Sequence, residues 1–325
     1  MGAPMAAKTR RGRSCQHRGL SRCIGWVENK LGRTTVTLIL TCLTDDCVYQ
    51  VSDRRLTSFD PPRAPIDDES NKATFVNGRA IFGYTGISKI NGENTDLWLT
   101  RIAASTSSSD MGVIARTIRD EATSAFRRMN FASRYKRHAF QGAGWFSSPD
   151  DHGLRPGTVT VHNAIESGTI KWLPYARPSF ELSVDLPRIG RAQFYLYSVG
   201  LTLGQSEMSA IYRLVRKCVH RRQRRQESTL WALILSVRWL HDRYEPNSPI
   251  GPNVVAVSLP RVAAERVAET GEFLAVSSGP AATHATFLDV NASGRIETFG
   301  PNVAHAGSMM SGFAVRPIAA NHGAA

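Results

Sequence analysis

Thr37-Leu-Ile-Leu-Thr-Cys-Leu-Thr-Asp-Asp-Cys-Val-Tyr-Gln-Val-Ser-Asp53 is the stretch on which the reading of this chain turns. Its two ends, Thr37–Leu43 and Val48–Ser52, are rich in β-branched and aromatic residues, and Thr44-Asp-Asp46 between them is a turn signal, so a hairpin is expected. A second hairpin follows. Lys72–Val76 and Arg79–Tyr84 flank Asn77-Gly78, a pair that suits the two left-handed positions of a tight two-residue turn.

Helical spacing begins after the second hairpin. Thr95–Ala104 opens on a threonine that could cap it. Ile114, Ile118, Ala122, Ala125, Phe126 and Met129 then recur at helical spacing behind an Asp110 cap. Strands return at about 138–146, 158–163, 179–184 and 193–198. Two more helices are expected at about 206–225 and 228–244, the second with Leu230, Leu233, Ile234, Val237 and Leu240 on one face. Closing strands fall at 253–259, 285–290 and 295–299. Hairpins and paired helices arriving in blocks, rather than alternating βα units, indicate an α+β class. Two helix pairs, each covering one face of a pair of packed sheets, give a four-layer αββα sandwich.

The flanks read differently. Residues 1–36 are basic, rich in Arg, Gly and Ala, and hold no apolar core of the kind a secretory signal needs; they are expected to be a disordered extension, removed or never translated. Residues 37–306 are expected to form one domain, and 307–325 a weakly ordered tail.

Charge and composition narrow the function. The chain has 325 residues and a formal net charge of +13. The first 36 residues contribute eight Lys/Arg against one Glu, and Arg213–Arg225 contributes seven more cations. Neither run has the aromatic interleaving or motif of a nucleic-acid module, so both read as solvated faces. Five cysteines without zinc-ligand spacing, and scattered histidines, propose no metal, no cofactor and no disulfide framework, and fit a reducing cytoplasm. No apolar run is long enough to span a bilayer; Leu230–Leu240 is interrupted by Arg238 and reads as a core helix.

Residues 37–105 resemble the N-terminal part of proteasome β-subunits and their simpler bacterial relatives, the proteasome-like branch of the N-terminal-nucleophile (Ntn) hydrolases. In that family a threonine opens the first strand and an aspartate lies sixteen residues on, as Asp53 does from Thr37. Lys72, in Asn71-Lys-Ala-Thr-Phe75, matches the lysine of the next strand, and Gly83-Tyr-Thr-Gly86 matches a glycine-containing turn before the first long helix. Farther on, Ser198 in Tyr197-Ser-Val-Gly200 resembles a Gly-Ser-Gly segment, and Glu245-Pro-Asn-Ser248 loosely resembles an acidic-x-x-Ser support. The interval from Asp53 to Lys72 is a few residues longer than the family's.

The resemblance implies a set of roles. A threonine hydroxyl needs a base, and an N-terminal threonine supplies one in its own α-amino group, through a water. Lys72 would hold that amine neutral at pH 7, since like charges disfavour each other. Asp53 would orient Lys72, and the Gly86 N–H would face the developing oxyanion. Ser198 joins this candidate set. Read without the resemblance, Thr37 is an ordinary strand threonine, Asp53 beside Arg54-Arg55 a strand-end ion pair, Lys72 a solvated lysine, and Ser198 a structural serine.

Catalysis of this type needs a free Thr37 amine. Val36 is not the glycine after which such precursors commonly cut themselves. The expectation is therefore a start at position 36, where a GTG codon would read as methionine and be trimmed. The leading reading is a cytoplasmic hydrolase acting on a peptide or small amide, homo-oligomeric by resemblance, with no ATPase partner specified. The alternatives are a non-catalytic scaffold and a nucleic-acid-associated basic protein.

Overall fold

The computed structural model describes residues 37–57, 65–106, 108–147, 153–166, 171–191, 193–221, 223–246, 248–270, 275–276, 283–297, 300–305 and 307–311. The extension expected at 1–36 lies outside the described residues.

The first hairpin forms as expected: β1 (Leu38–Thr44) pairs antiparallel with β2 (Cys47–Asp53). The second comprises β3 (Ala73–Val76) and β4 (Ala80–Thr85), and Asn77 and Gly78 take φ of +49° and +65° at its turn. After helices α1 (Thr95–Ser105) and α2 (Met111–Arg128) come β5 (Ala139–Ser147), β6 (Leu154–His162), β7 (Glu181–Asp185) and β8 (Phe194–Gly200). Helices α3 (Gln205–Val219) and α4 (Arg225–Tyr244) precede β9 (Val254–Pro260). Helix α5 (Arg261–Thr270), β10 (Ala285–Val290), β11 (Asn302–His305) and β12 (Ser308–Met310) complete the main elements.

Two sheets result. One runs β8-β1-β2-β9-β10, all antiparallel, and the short strand Ala275–Val276 adds parallel to β10. The other runs β7-β6-β5-β4-β3-β11-β12, antiparallel except where β11 joins β3.

Side-chain alternation along the strands explains the layers. On β1 and β2, Leu38, Leu40, Cys42, Tyr49 and Val51 pack with Ile211, Val215, Leu233 and Val237 of α3 and α4. Their neighbours Leu43 and Val48 turn the other way and pack with Phe75, Ile81 and Trp145 of the second sheet. Phe82, Tyr84 and Phe140, on that sheet's far face, meet Trp98, Leu99, Ile114 and Ile118 of α1 and α2. The order is helices, sheet, sheet, helices: a four-layer αββα sandwich of the α+β class, as expected.

Polar bonds also cross between the sheets. Gln50 Nε2 donates to Gln141 O at 3.1 Å, and Trp145 Nε1 donates to Leu259 O at 3.0 Å. Both donors are buried, so these bonds satisfy groups that would otherwise cost free energy in the core.

Several local expectations change. Asp110 caps α2 through Val113 N as expected, but Thr95 does not cap α1; it is the first helical residue, and its hydroxyl donates to Ile87 O at 2.7 Å. The helix expected to run through Arg225 stops at Val219, and Arg224 takes a left-handed φ of +52° at the entry to α4. The Arg213–Arg225 run is therefore a helix end and a turn, not one basic helix. Helix α5 carries no strong sequence signal and was not expected. Of the stretch after Gly307, residues 308–310 pair with β11, and 312–325 lie outside the described residues.

Candidate active site

Three of the five candidate residues meet in one buried cluster at the start of β1. Lys72 Nζ donates to Thr37 Oγ1 at 2.8 Å and to Asp53 Oδ2 at 3.4 Å, and it also donates to the backbone carbonyl of Arg55. Both charged side chains are wholly buried. An ammonium has three N–H donors and no acceptor, and here all three have partners. Burial pushes the Lys72 pKa below the usual lysine range, and the Asp53 charge opposes that shift.

Asp53 is held by backbone. Its Oδ1 accepts from Leu38 N at 2.7 Å, and its Oδ2 accepts from Arg55 N at 3.0 Å and Gly251 N at 3.2 Å. The carboxylate thus fastens the first residue of β1, the second residue after β2 and the loop following α4. The strand-end ion-pair reading of Asp53 does not hold, because the arginines beside it pair elsewhere. Arg54 reaches Asp289 at 2.5 Å, with both side chains buried. Arg55 grips Asp68 with Nε–Oδ1 and Nη2–Oδ2 bonds of 2.6 and 3.0 Å, and its Nη1 donates to Ser248 O. Lys72 is likewise no solvated lysine.

Gly86 follows β4 with a φ of +120°, and a Cβ there would lie 2.4 Å from Arg137 O and 2.7 Å from His138 Nδ1. Only glycine fits such a backbone and such a contact. The neighbouring Ile87 N–H donates to His138 Nδ1 at 3.0 Å, so the imidazole fixes this turn as well as packing against it. His138 is surrounded by the rings of Tyr84, Phe126 and Phe140, and burial pushes its pKa down to about 3. It is therefore neutral at pH 7.

Ser198 lies elsewhere. It pairs across from Leu40 on β1, and cross-strand partners share a face, so it lies on the side of the sheet covered by α3 and α4. Three positions separate Leu40 from Thr37, about 10 Å along a strand, and among the described residues no hydrogen bond joins Ser198 to the cluster. The residue of that segment which does meet Thr37 is Gly200. A Cβ on Gly200, whose φ is +101°, would fall 1.8 Å from Thr37 O and 3.3 Å from Thr85 Oγ1. Leu201 N then donates to Thr37 O at 2.9 Å. Ser248 sits in its own local turn, its hydroxyl donating to Ile250 O at 3.0 Å, and among the described residues it is joined to the cluster through Arg55.

The sequence reading missed Arg55, Thr85, Gly200 and Gly251. Thr85, next to Gly86, is fully buried and its hydroxyl has no partner among the described residues. Gly200 was in plain view beside Ser198, but a serine draws more notice than a glycine whose task is close approach. Gly251, in Pro249-Ile-Gly-Pro252, carried only the signal of a turn.

Comparison with solved structures finds similar folds at low identity. A Gly-1 mutant of Anbu from Hyphomicrobium sp. strain MC1 is similar over 69% of this chain and 82% of its own, with 14% identity and a TM-score of 0.41. Anbu (ancestral beta-subunit) from Yersinia bercovieri is similar over 69% and 81%, with 10% identity and a TM-score of 0.36. Eukaryotic HslV from Trypanosoma brucei is similar over 62% of this chain and 91% of its own, with 13% identity and a TM-score of 0.33. No family model matches the chain, and no curated protein matches it. Among the described residues no group of metal-ligating side chains occurs, and no helix is long and apolar enough to cross a membrane.

Proposed function

We propose that the chain is a threonine-type amidohydrolase that cleaves a peptide or small amide through the Thr37 hydroxyl. The observation that carries this reading is the 2.8 Å bond from Lys72 Nζ to Thr37 Oγ1 in a pocket where Asp53 is fixed by three backbone donors. An ion pair serving stability alone has no need of a strand-opening hydroxyl as its third partner.

In this scheme Thr37 Oγ attacks the substrate carbonyl carbon while its proton passes, through a water, to the free Thr37 amine. The carbonyl oxygen becomes an oxyanion facing the Gly86 N–H. Collapse breaks the C–N bond, the proton moves to the leaving amine, and an ester remains on Thr37. Water, deprotonated by the same amine, then releases the acid and regenerates the hydroxyl. Lys72 as an ammonium keeps the Thr37 amine neutral and steadies Oγ. Ser198 contributes only by pairing β8 to β1. Homo-oligomerisation belongs to the same reading on the resemblance alone, and a cytoplasmic setting on the sparse cysteines.

The test is the intact mass and N-terminal sequence of the protein made from its own gene, followed by turnover of fluorogenic peptide amides. A chain beginning at Thr37 whose hydrolysis disappears in Thr37→Ala and survives in part in Thr37→Ser supports the reading. A chain that still carries residues 1–36 and turns over no amide places the cluster in a scaffold instead.

A further inference from the structure

Helix α4 is apolar on two faces. Leu230, Leu233, Val237 and Leu240 are buried against the first sheet, yet Leu235 and Trp239 lie on the outer side, continuing at four-residue spacing from the half-buried Trp231, which still packs against that core. Leu235 is 52% exposed and Trp239 39%. A helix that is hydrophobic on both sides is ordinarily covered on both. Across from this stripe, α3 exposes Leu214 at 38%. Between the helices lies an open groove of about 730 Å³, with Leu214 and Cys218 on one wall, Trp231 and Leu235 on the other, and Arg221 and Arg224 at its end.

The charge around the groove is one-sided. Arg213, Arg216, Lys217, Arg221 and Arg224 are all exposed on or just after α3. Among the described residues the acids beside them are few: Glu207 is buried in bonds to Gly204 N and Tyr244 Oη, and Glu227 pairs with Arg224 at 3.2 Å. Arg224 also occupies a left-handed backbone position that glycine or asparagine would adopt with less strain. We propose that the α3–α4 groove is a docking site for an acidic amphipathic peptide segment of a partner, whose apolar side chains lie against Leu214, Trp231 and Leu235 and whose carboxylates meet the surrounding cations.

This partner fits better than two others. A second copy docking through the same face would set Arg221 and the neighbouring exposed cations of α3 against their own counterparts, and like charges across an interface oppose association. Nucleic acid would use the cations and could stack bases on the tryptophans, but it would leave Leu214 and Leu235, the aliphatic walls of the groove, without a complement. An amphipathic helix laid in a groove uses both, with anchors at third and fourth positions and charges between them.

The test uses the full chain and a fluorescein-labelled helical peptide with leucines at third and fourth positions among glutamates, followed by fluorescence anisotropy. Two control probes are the same peptide with lysines for the glutamates and a single-stranded oligothymidine. Saturable binding of the acidic peptide is expected, at least about tenfold weaker for Leu235→Asp and for Arg221→Glu, and at least about tenfold weaker for the lysine peptide. Circular dichroism of both variants, whose changed side chains are exposed, verifies the fold. Peptide binding that is absent, or indifferent to Leu235→Asp, overturns the proposal. So does tighter binding of the oligothymidine, which would make the face a polyanion site. Self-association of the free protein that Leu235→Asp abolishes would assign the groove to a second copy.

Discussion

Lys72 Nζ stands 2.8 Å from Thr37 Oγ1 while sharing its remaining protons between Asp53 and the Arg55 carbonyl. Removing the ammonium leaves a buried carboxylate without its counter-charge, and breaking a buried pair on one side costs about 3–5 kcal/mol. Lys72→Met, which keeps the length and loses every donor, should therefore destabilise the chain by an amount in that range, at its lower end because three backbone N–H groups still serve Asp53. Urea unfolding measures it. A loss below about 1 kcal/mol would mean that the pair is not buried as described.

The glycines separate strain from collision. Gly86→Ala would combine a φ of +120° with a Cβ 2.4 Å from a backbone carbonyl, whereas Gly92→Ala, at φ +85°, meets nothing within 4 Å. Gly92→Ala should cost about 1 kcal/mol from backbone conformation alone, and Gly86→Ala clearly more. Gly200→Ala, aimed at Thr37 O from 1.8 Å, should displace the start of β1. Paired denaturation curves for the three variants test the ranking, and equal losses would refute it.

His138 gives a pH signature. Its folded pKa is pushed from 6.5 to about 3 by burial alone. Between those values the unfolded chain binds a proton that the folded chain excludes, so stability rises with pH through this window and His138 adds no slope above it. The slope is at most about 1.4 kcal/mol per pH unit. His138→Asn keeps an acceptor for Ile87 N–H without the titration. Its stability difference from the native chain should therefore shrink between pH 7 and pH 4.5, and a pH-independent difference would exclude a neutral buried imidazole.

Arg54 and Asp289 form a second buried ion pair, with side-chain exposures of 6% and 3%. Arg54→Met alone should cost about 3–5 kcal/mol, and the double change with Asp289→Leu should recover a large part of it, because the greater cost lies in stranding one charge. A double-mutant cycle by chemical denaturation gives the coupling; additive losses would show that the two do not interact.

Much of the frame was legible because its signals were local. Asn77-Gly78 specifies a turn wherever it lies, and the apolar face of α4 repeats within a single helix. The spacing of Thr37, Asp53 and Lys72 was readable too, since two hairpins convert sequence distance into fixed spatial distance. What could not be read depends on contacts made from afar. Gly251 reaches Asp53 across 198 positions, and Gly200 reaches Thr37 only after β8 has paired with β1. Ser198 was singled out by its type, but the register turns it toward the helices. The end of α3 was misjudged because arginine and glutamine favour helix and nothing local forecasts the left-handed Arg224.

Asp53 joins Leu38, Arg55 and Gly251, which enter the growing chain at very different times. During synthesis the early hairpins can close, but the carboxylate lacks its last backbone donor until the residues after α4 have left the ribosome. Thr37 and Lys72 are among the first parts of the domain to be made, and their setting is among the last to be finished. A partly made or truncated chain would carry Thr37, Asp53 and Lys72 without the Gly251 donor that completes the carboxylate's setting.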